Sequence, residues 1–139
     1  MKKYISILTM LLMVSLTSCF EEYDEGYDLV GRVASIPAFT ISATTAAVGA
    51  PVTANFRYYS EHEPVTELRL IQTIGGQSSV AASKPVSGHN TADSYVDSFT
   101  YTVPQAAIGT VIQLQIEVVT ANGLTNRGAL SRNLTVRAS

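Results

Sequence analysis

From Ile36 to the C-terminus no stretch keeps an apolar period of 3.6 residues long enough to make a helix. Apolar and polar residues alternate instead, in runs of nine or ten bounded by turn-forming residues. That alternation commits the chain to half-buried β-strands, because successive side chains of a strand point to opposite faces. Val52 to Ser60 is the clearest case: Val52, Ala54, Phe56 and Tyr58 share one face, and Thr53, Asn55, Arg57 and Tyr59 the other. Val65 to Ile74 turns Leu68, Leu70 and Ile74 inward. Ser94 to Val103 sets Tyr95, Asp97, Phe99, Tyr101 and Val103 on one side. Val111 to Thr120 buries Ile112, Leu114, Ile116 and Val118 and leaves Gln113, Gln115 and Glu117 facing out.

The remaining runs are less regular. Phe39–Ser42 predicts a first strand, and Val48-Gly49-Ala50-Pro51 a turn. Ser78 to Val86 reads as an edge strand, since Pro85 has no N–H to give to a central ladder. Asn122-Gly123 predicts a two-residue type I′ hairpin, which needs positive φ at both positions. The last strand is interrupted near Gly128, a candidate bulge, with Leu130, Leu134 and Val136 inward.

The expected fold is all-β: one immunoglobulin-like β-sandwich of about seven strands over residues 36–139. "FTYTVP" followed by "GTVIQLQIEVVTANGLTN" resembles the closing strands of bacterial Ig-like and PKD-like domains, which carry no Cys-Trp-Cys core. The resemblance covers residues 98–126 well and the rest loosely.

The N-terminus has the anatomy of a signal peptide. Met1-Lys2-Lys3 is a basic start, Tyr4 to Val14 an apolar run, and small residues lead to Cys19. The run is short for a membrane span of about 20 residues. Cys19 is the only cysteine, so it has no disulfide partner within the chain. Leu16-Thr17-Ser18-Cys19 resembles the lipobox of bacterial lipoproteins. The resemblance implies cleavage after residue 18 and lipidation of Cys19. Each buried methylene contributes about 0.8 kcal/mol, so two or more acyl chains hold a protein stably at a membrane.

Residues 19–35 then form a tether, with Glu21, Glu22, Asp24, Glu25 and Asp28 close behind the cysteine. Such a run is a self-repelling spacer. Cys19-Phe20-Glu21-Glu22 also resembles the export signal of Bacteroidota-type surface lipoproteins, which implies a lipid-anchored, outward-facing location at the outer membrane. Once the leader with Lys2 and Lys3 is gone, seven basic residues face eleven acidic ones, a net charge of −4. Residues 29–139 alone carry +1. Few and scattered basic residues give no nucleic-acid footprint.

Residues for chemistry are scarce. No Gly-x-Ser-x-Gly motif is present, and His62 and His89 fall in separate loops. Glu61-His62-Glu63 reads as a solvated loop, because consecutive side chains diverge. Asp93 and Asp97 lack the dense Asp/Asn/Gly loop of a calcium site. No acidic pair is singled out for glycoside hydrolysis, and a compact sandwich offers no obvious cleft. The expectation is a non-catalytic module with no metal and no cofactor, engaged in protein interaction or as an accessory envelope component. Contacts are expected through the loops at 60–65 and 86–94 and the tip near Asn122. The alternative is a glycan-binding surface lipoprotein of a polysaccharide-uptake system. The chain has no Trp, so Tyr59 and Tyr95 are the candidate sugar platforms.

Overall fold

A computed structural model describes residues 33–139. The leader, Cys19, Glu21, Glu22 and most of the acidic segment lie outside the described residues. The described chain is all-β, with eight strands: β1 Ser35–Ile41, β2 Thr45–Ala47, β3 Pro51–Tyr59, β4 Val65–Ile74, β5 Gln77–Pro85, β6 Ser94–Thr102, β7 Val111–Thr120 and β8 Thr125–Arg137. They form two sheets, ordered β1-β3-β6 and β2-β8-β7-β4-β5. Ala34 is already buried and β1 starts at Ser35, just ahead of Ile36.

The strand beyond seven is β2, three residues that run parallel to β8 through Thr45–Thr135, Ala46–Val136 and Ala47–Arg137. Its sequence, Thr-Ala-Ala, has no apolar alternation to reveal it. It forms because the chain leaves β1, crosses to the other sheet and meets the last strand there, with the Thr135 N–H donating to the Thr44 carbonyl at 2.8 Å.

The sandwich core follows the alternation. Val52, Ala54, Phe56 and Tyr58 of β3 are buried, facing Leu68 and Leu70 of β4 and Ile112, Leu114, Ile116 and Val118 of β7. β3 and β6 pair without interruption from Pro51–Thr102 to Tyr59–Ser94, so the two strands keep matching faces. Each fully buried aliphatic side chain contributes about 1.5–3 kcal/mol.

Three local readings change. The two-residue hairpin with both central residues at positive φ is Gly75-Gly76, at 57° and 81°, flanked by the Ile74–Gln77 pair. Asn122 has no positive φ. Only Gly123 does, at 80°, in a wider connection in which the Gly123 N–H donates to the Thr120 carbonyl. The Asn122 side chain closes this loop by accepting from the Thr120 hydroxyl at 2.6 Å and the Leu124 N–H at 3.2 Å.

Glu117 lies on the outer face of β7 as its parity requires, yet it is buried. Arg69 at 3.2 Å and Arg127 at 2.8 Å cover its carboxylate from the two neighbouring strands. Arg69 also donates to Glu67 through Nε and Nη2, each at 2.9 Å, and this hydrogen bonding holds the Glu67 carboxyl below its ordinary pKa.

The β7–β8 register shifts between Gln115–Ser131 and Glu117–Arg127, which sets a bulge beside Gly128. Gly128 packs on β1: a Cβ there would lie 3.0 Å from Ile36 Cδ1 and 3.1 Å from Ile36 Cβ. Gly128→Val is therefore expected to lower the unfolding free energy by about 1–3 kcal/mol. Urea denaturation checks this. A midpoint equal to that of the natural protein would show that β1 does not press on β8.

Candidate functional site

The two long sides of the sandwich differ. On one side β1 and β2 share a single stretch of chain and cross from sheet to sheet against β8. Asn126 Nδ2 donates to the Ala34 carbonyl at 2.7 Å, and the Arg132 guanidinium lies 5.9 Å from the Phe39 ring centre. On the other side two edge strands, β5 and β6, face each other across a seam. β5 is exposed over most of its length, in keeping with the edge position expected from Pro85.

One end of the seam is closed by Lys84. It lies opposite Leu68 in the register and so points inward. Its ammonium reaches Asp97 of β6, donates to the Ser98 carbonyl at 2.7 Å and lies 4.7 Å from the Phe99 ring centre. Asp97 Oδ1 also accepts from the Ser98 N–H at 2.7 Å.

Beyond this plug the seam opens into a groove of about 330 Å³. Val80, Ala81 and Ala82 form one wall, and Thr100 and Thr102 the other. On its floor the Tyr101 hydroxyl donates to Gln72 Oε1 at 2.6 Å, and Gln72 Nε2 donates to the Ser79 hydroxyl at 3.2 Å. Burial pushes the Tyr101 phenol up to about 12, so it stays a neutral donor at any physiological pH. No charged residue lines this groove.

The sequence gives only half of this site. Pro85 and the small residues before it mark β5 as an edge. Nothing local marks the free side of β6, because which strand becomes an edge is a property of the topology. The expectation that a compact sandwich lacks a cleft gives way to this groove, opened by sheets of unequal width.

Tyr59 and Tyr95 do not share a platform. Tyr58 pairs with Tyr95 and Tyr59 with Ser94, so the two candidates face opposite sides of the three-stranded sheet. Tyr59 is half-buried on the outer face, with Arg57 and Asn55 exposed along the same face of the strand. Tyr95 joins a row of rings at the inner face: Phe56–Phe99 at 5.7 Å, Phe56–Tyr58 at 6.0 Å and Tyr58–Tyr95 at 5.6 Å between centroids.

His89 ends that row. Its ring lies 4.8 Å from Tyr95 and 5.9 Å from Tyr58, and neither ring nitrogen has a hydrogen-bond partner. The Tyr95 hydroxyl accepts from the Asn90 N–H at 2.9 Å, which pins the same loop. No local pattern around His89 announces this contact, since its partners come from β3 and β6. Among the described residues no group of three or more His, Cys, Asp or Glu side chains is arranged to hold a metal.

No family model matches the sequence, and no curated protein matches it. Solved structures do resemble the fold. Spo0M, a sporulation control protein from Bacillus subtilis, aligns with a TM-score of 0.52 at 12% identity, over 76% of this chain and 50% of its own. The alkylpurine DNA glycosylase AlkC from Pseudomonas fluorescens, bound to DNA containing an abasic site analog, aligns at 0.55 and 16%, over 79% of this chain and 32% of its own. A Niemann-Pick type C2 protein from Japanese carpenter ant aligns at 0.54 and 7%, over 76% of this chain and 93% of its own. The chain thus spans half or less of the first two proteins, and at these identities the likeness is one of fold.

Desolvation lowers the His89 pKa from its ordinary value, with Asp93 opposing in part; the rings of Tyr58 and Tyr95 face the imidazole. A group lowered on folding contributes stability above its unfolded value of about 6.5, and loses it as the pH falls through the folded value. Acidification from pH 7.5 to 5 is therefore expected to lower the urea midpoint of the natural protein more than that of His89→Phe, which keeps the ring stack. Parallel pH profiles would remove His89 as the cause.

Proposed function

We propose that this chain is a lipid-anchored, extracytoplasmic, immunoglobulin-like module that binds a protein of the cell envelope and performs no chemistry itself. The observation that carries the binding role is the open seam between β5 and β6, two sheet-edge strands beside an uncharged groove. The immunoglobulin-like reading draws support from the strand order. A first strand divided between the sheets as β1 and β2 accompanies β1-β3-β6 against β8-β7-β4-β5.

The anchor rests on Leu16-Thr17-Ser18-Cys19, and outward exposure at the outer membrane on Glu21 and Glu22. Two acyl chains at Cys19 would hold the module at the bilayer, and the acidic segment would keep it off an anionic surface.

Protease shaving of intact cells tests this. The natural protein is expected in the membrane fraction and digested from outside. Cys19→Ala is expected to leave the membrane fraction, and the double variant Glu21→Ala/Glu22→Ala to stay membrane-bound but protected. A natural protein protected in sealed cells would confine the module to the periplasm, and one recovered as soluble would end the anchor reading.

A second reading, glycan binding within a polysaccharide-uptake system, is favoured by Tyr59. It shares its face with Arg57 and Asn55, and no acidic residue of β3 or β6 projects there. If sugars bind on this face, Tyr59→Ala should lose about tenfold or more in affinity for the retained polysaccharide in affinity electrophoresis. Unchanged mobility would leave the protein-binding reading alone.

A further inference from the structure

We propose that the groove between β5 and β6 is a strand-accepting slot: an extended, uncharged peptide segment of a partner protein adds to the free edge of β6 and widens the three-stranded sheet beneath β5. The inference rests on the binding role proposed above and specifies the partner's chemistry.

The free edge can be followed group by group. The Val103 N–H donates to the Ala50 carbonyl and its own carbonyl accepts from Gly49, so the main chain of residue 103 points towards β3. Main-chain direction alternates along an antiparallel strand. Ser98, Thr100 and Thr102 therefore turn their N–H and C=O groups away from β3, into the seam. The contacts at Ser98 agree, since its carbonyl accepts from Lys84 and its N–H donates to Asp97. Lys84 and Asp97 thus satisfy one residue of this edge and block a strand from pairing there.

The next two residues on this side, Thr100 and Thr102, have no such cover. Among the described residues neither has a main-chain partner outside its ladder with β3. Both border the groove. They present two donors and two acceptors to whatever enters, as a sheet edge does when an extended peptide joins it.

The surroundings fit the same occupant. The segment 86–93 that connects β5 to β6 contains no strand, so no part of it supplies a fourth member of the three-stranded sheet. β5 consequently overhangs β6 with small side chains, Ala81 and Ala82, which leave space for a backbone to approach. Val80, 54% exposed, also borders the groove. The groove offers no charge to pair with, so an ionised side chain buried there would forfeit its hydration without compensation. Lys84 at one end and Pro104 at the other set the length of the open edge. The slot therefore suits a few residues of extended chain recognised by its backbone, with the rest of the partner lying over β5.

The test uses the full chain, isotope-labelled and solubilised in detergent. The probe is an acetylated, amidated Thr-Val-Thr-Val-Thr peptide, compared with the same peptide N-methylated at alternate amides. The expected result is saturable amide shifts confined to residues 79–82 and 100–103, with slower hydrogen exchange at Thr100 and Thr102. The N-methylated peptide should bind at least about tenfold more weakly. Ala81→Arg, at an exposed position on the wall, should weaken binding by about tenfold or more, and Thr102→Pro, which deletes one donor, should do likewise. His89→Phe should bind as the natural protein does.

Equal binding of the methylated peptide would overturn the proposal. So would shifts centred on the Tyr59 face, or no saturable shift up to the solubility of the peptide. Concentration-dependent self-association through β5 or β6, read by sedimentation, would also overturn it in favour of a second copy as occupant. Because the assay is run in detergent, failure of the slot and failure of the anchor are read separately.

Discussion

The apolar contact between the inner faces of β3 and β7 is the interaction on which the rest of this structure depends. Each strand is flanked on both sides within its sheet, and each contributes side chains removed from water: Val52, Ala54 and Phe56 from one, Ile112, Leu114, Ile116 and Val118 from the other. Burial of this surface supplies the main driving force for bringing the two sheets together. With those faces fixed, the neighbouring strands have their parity dictated by the ladders. β6 must turn Phe99 and Tyr101 inward, and β4 must turn Leu68 and Leu70 inward.

The same constraint produces an asymmetry between the two flanks of the sandwich. A sheet of three strands cannot cover a sheet of five. On one flank the chain resolves the mismatch by dividing its first strand between the sheets and tucking Gly128 against Ile36. On the other flank the Lys84 bridge to Asp97 and Ser98 closes one end of the gap, and a groove lies beyond it. The groove is thus a consequence of unequal sheet width, with polar groups on its floor held by the Tyr101–Gln72 hydrogen bond. The aromatic row from Phe99 through Phe56, Tyr58 and Tyr95 to His89 extends the core along the same strands and fastens the 86–93 loop to it.

Where sequence and structure part company, the cause lies in strand pairing and packing. Glu117 reads as an outward, solvated carboxylate by parity. It is buried because Arg69 and Arg127 arrive from the strands on either side. Asn122-Gly123 has the composition of a type I′ turn, but the strands end at Thr120 and Thr125, so the connection is too wide for one. Gly75-Gly76 holds the tight turn because Ile74 and Gln77 pair directly. His89 carries no local pattern at all, and its partners Tyr58 and Tyr95 lie on two other strands.

The sequence by itself determined the all-β class, the faces of β3, β4, β6 and β7 and the edge position of β5. Each of these follows from alternation or from a missing N–H within a few consecutive residues. It also carries the lipobox-like Leu16-Thr17-Ser18-Cys19 and the acidic run behind it, which are local patterns independent of the fold. Only the tertiary structure decided that β2 exists, that β6 ends a sheet, that Glu117 and His89 are covered, and that a groove lies between Val80–Ala82 and Thr100–Thr102. Those features depend on which residues meet across tens of positions of sequence. Pairing and packing make that choice after local preferences have been satisfied.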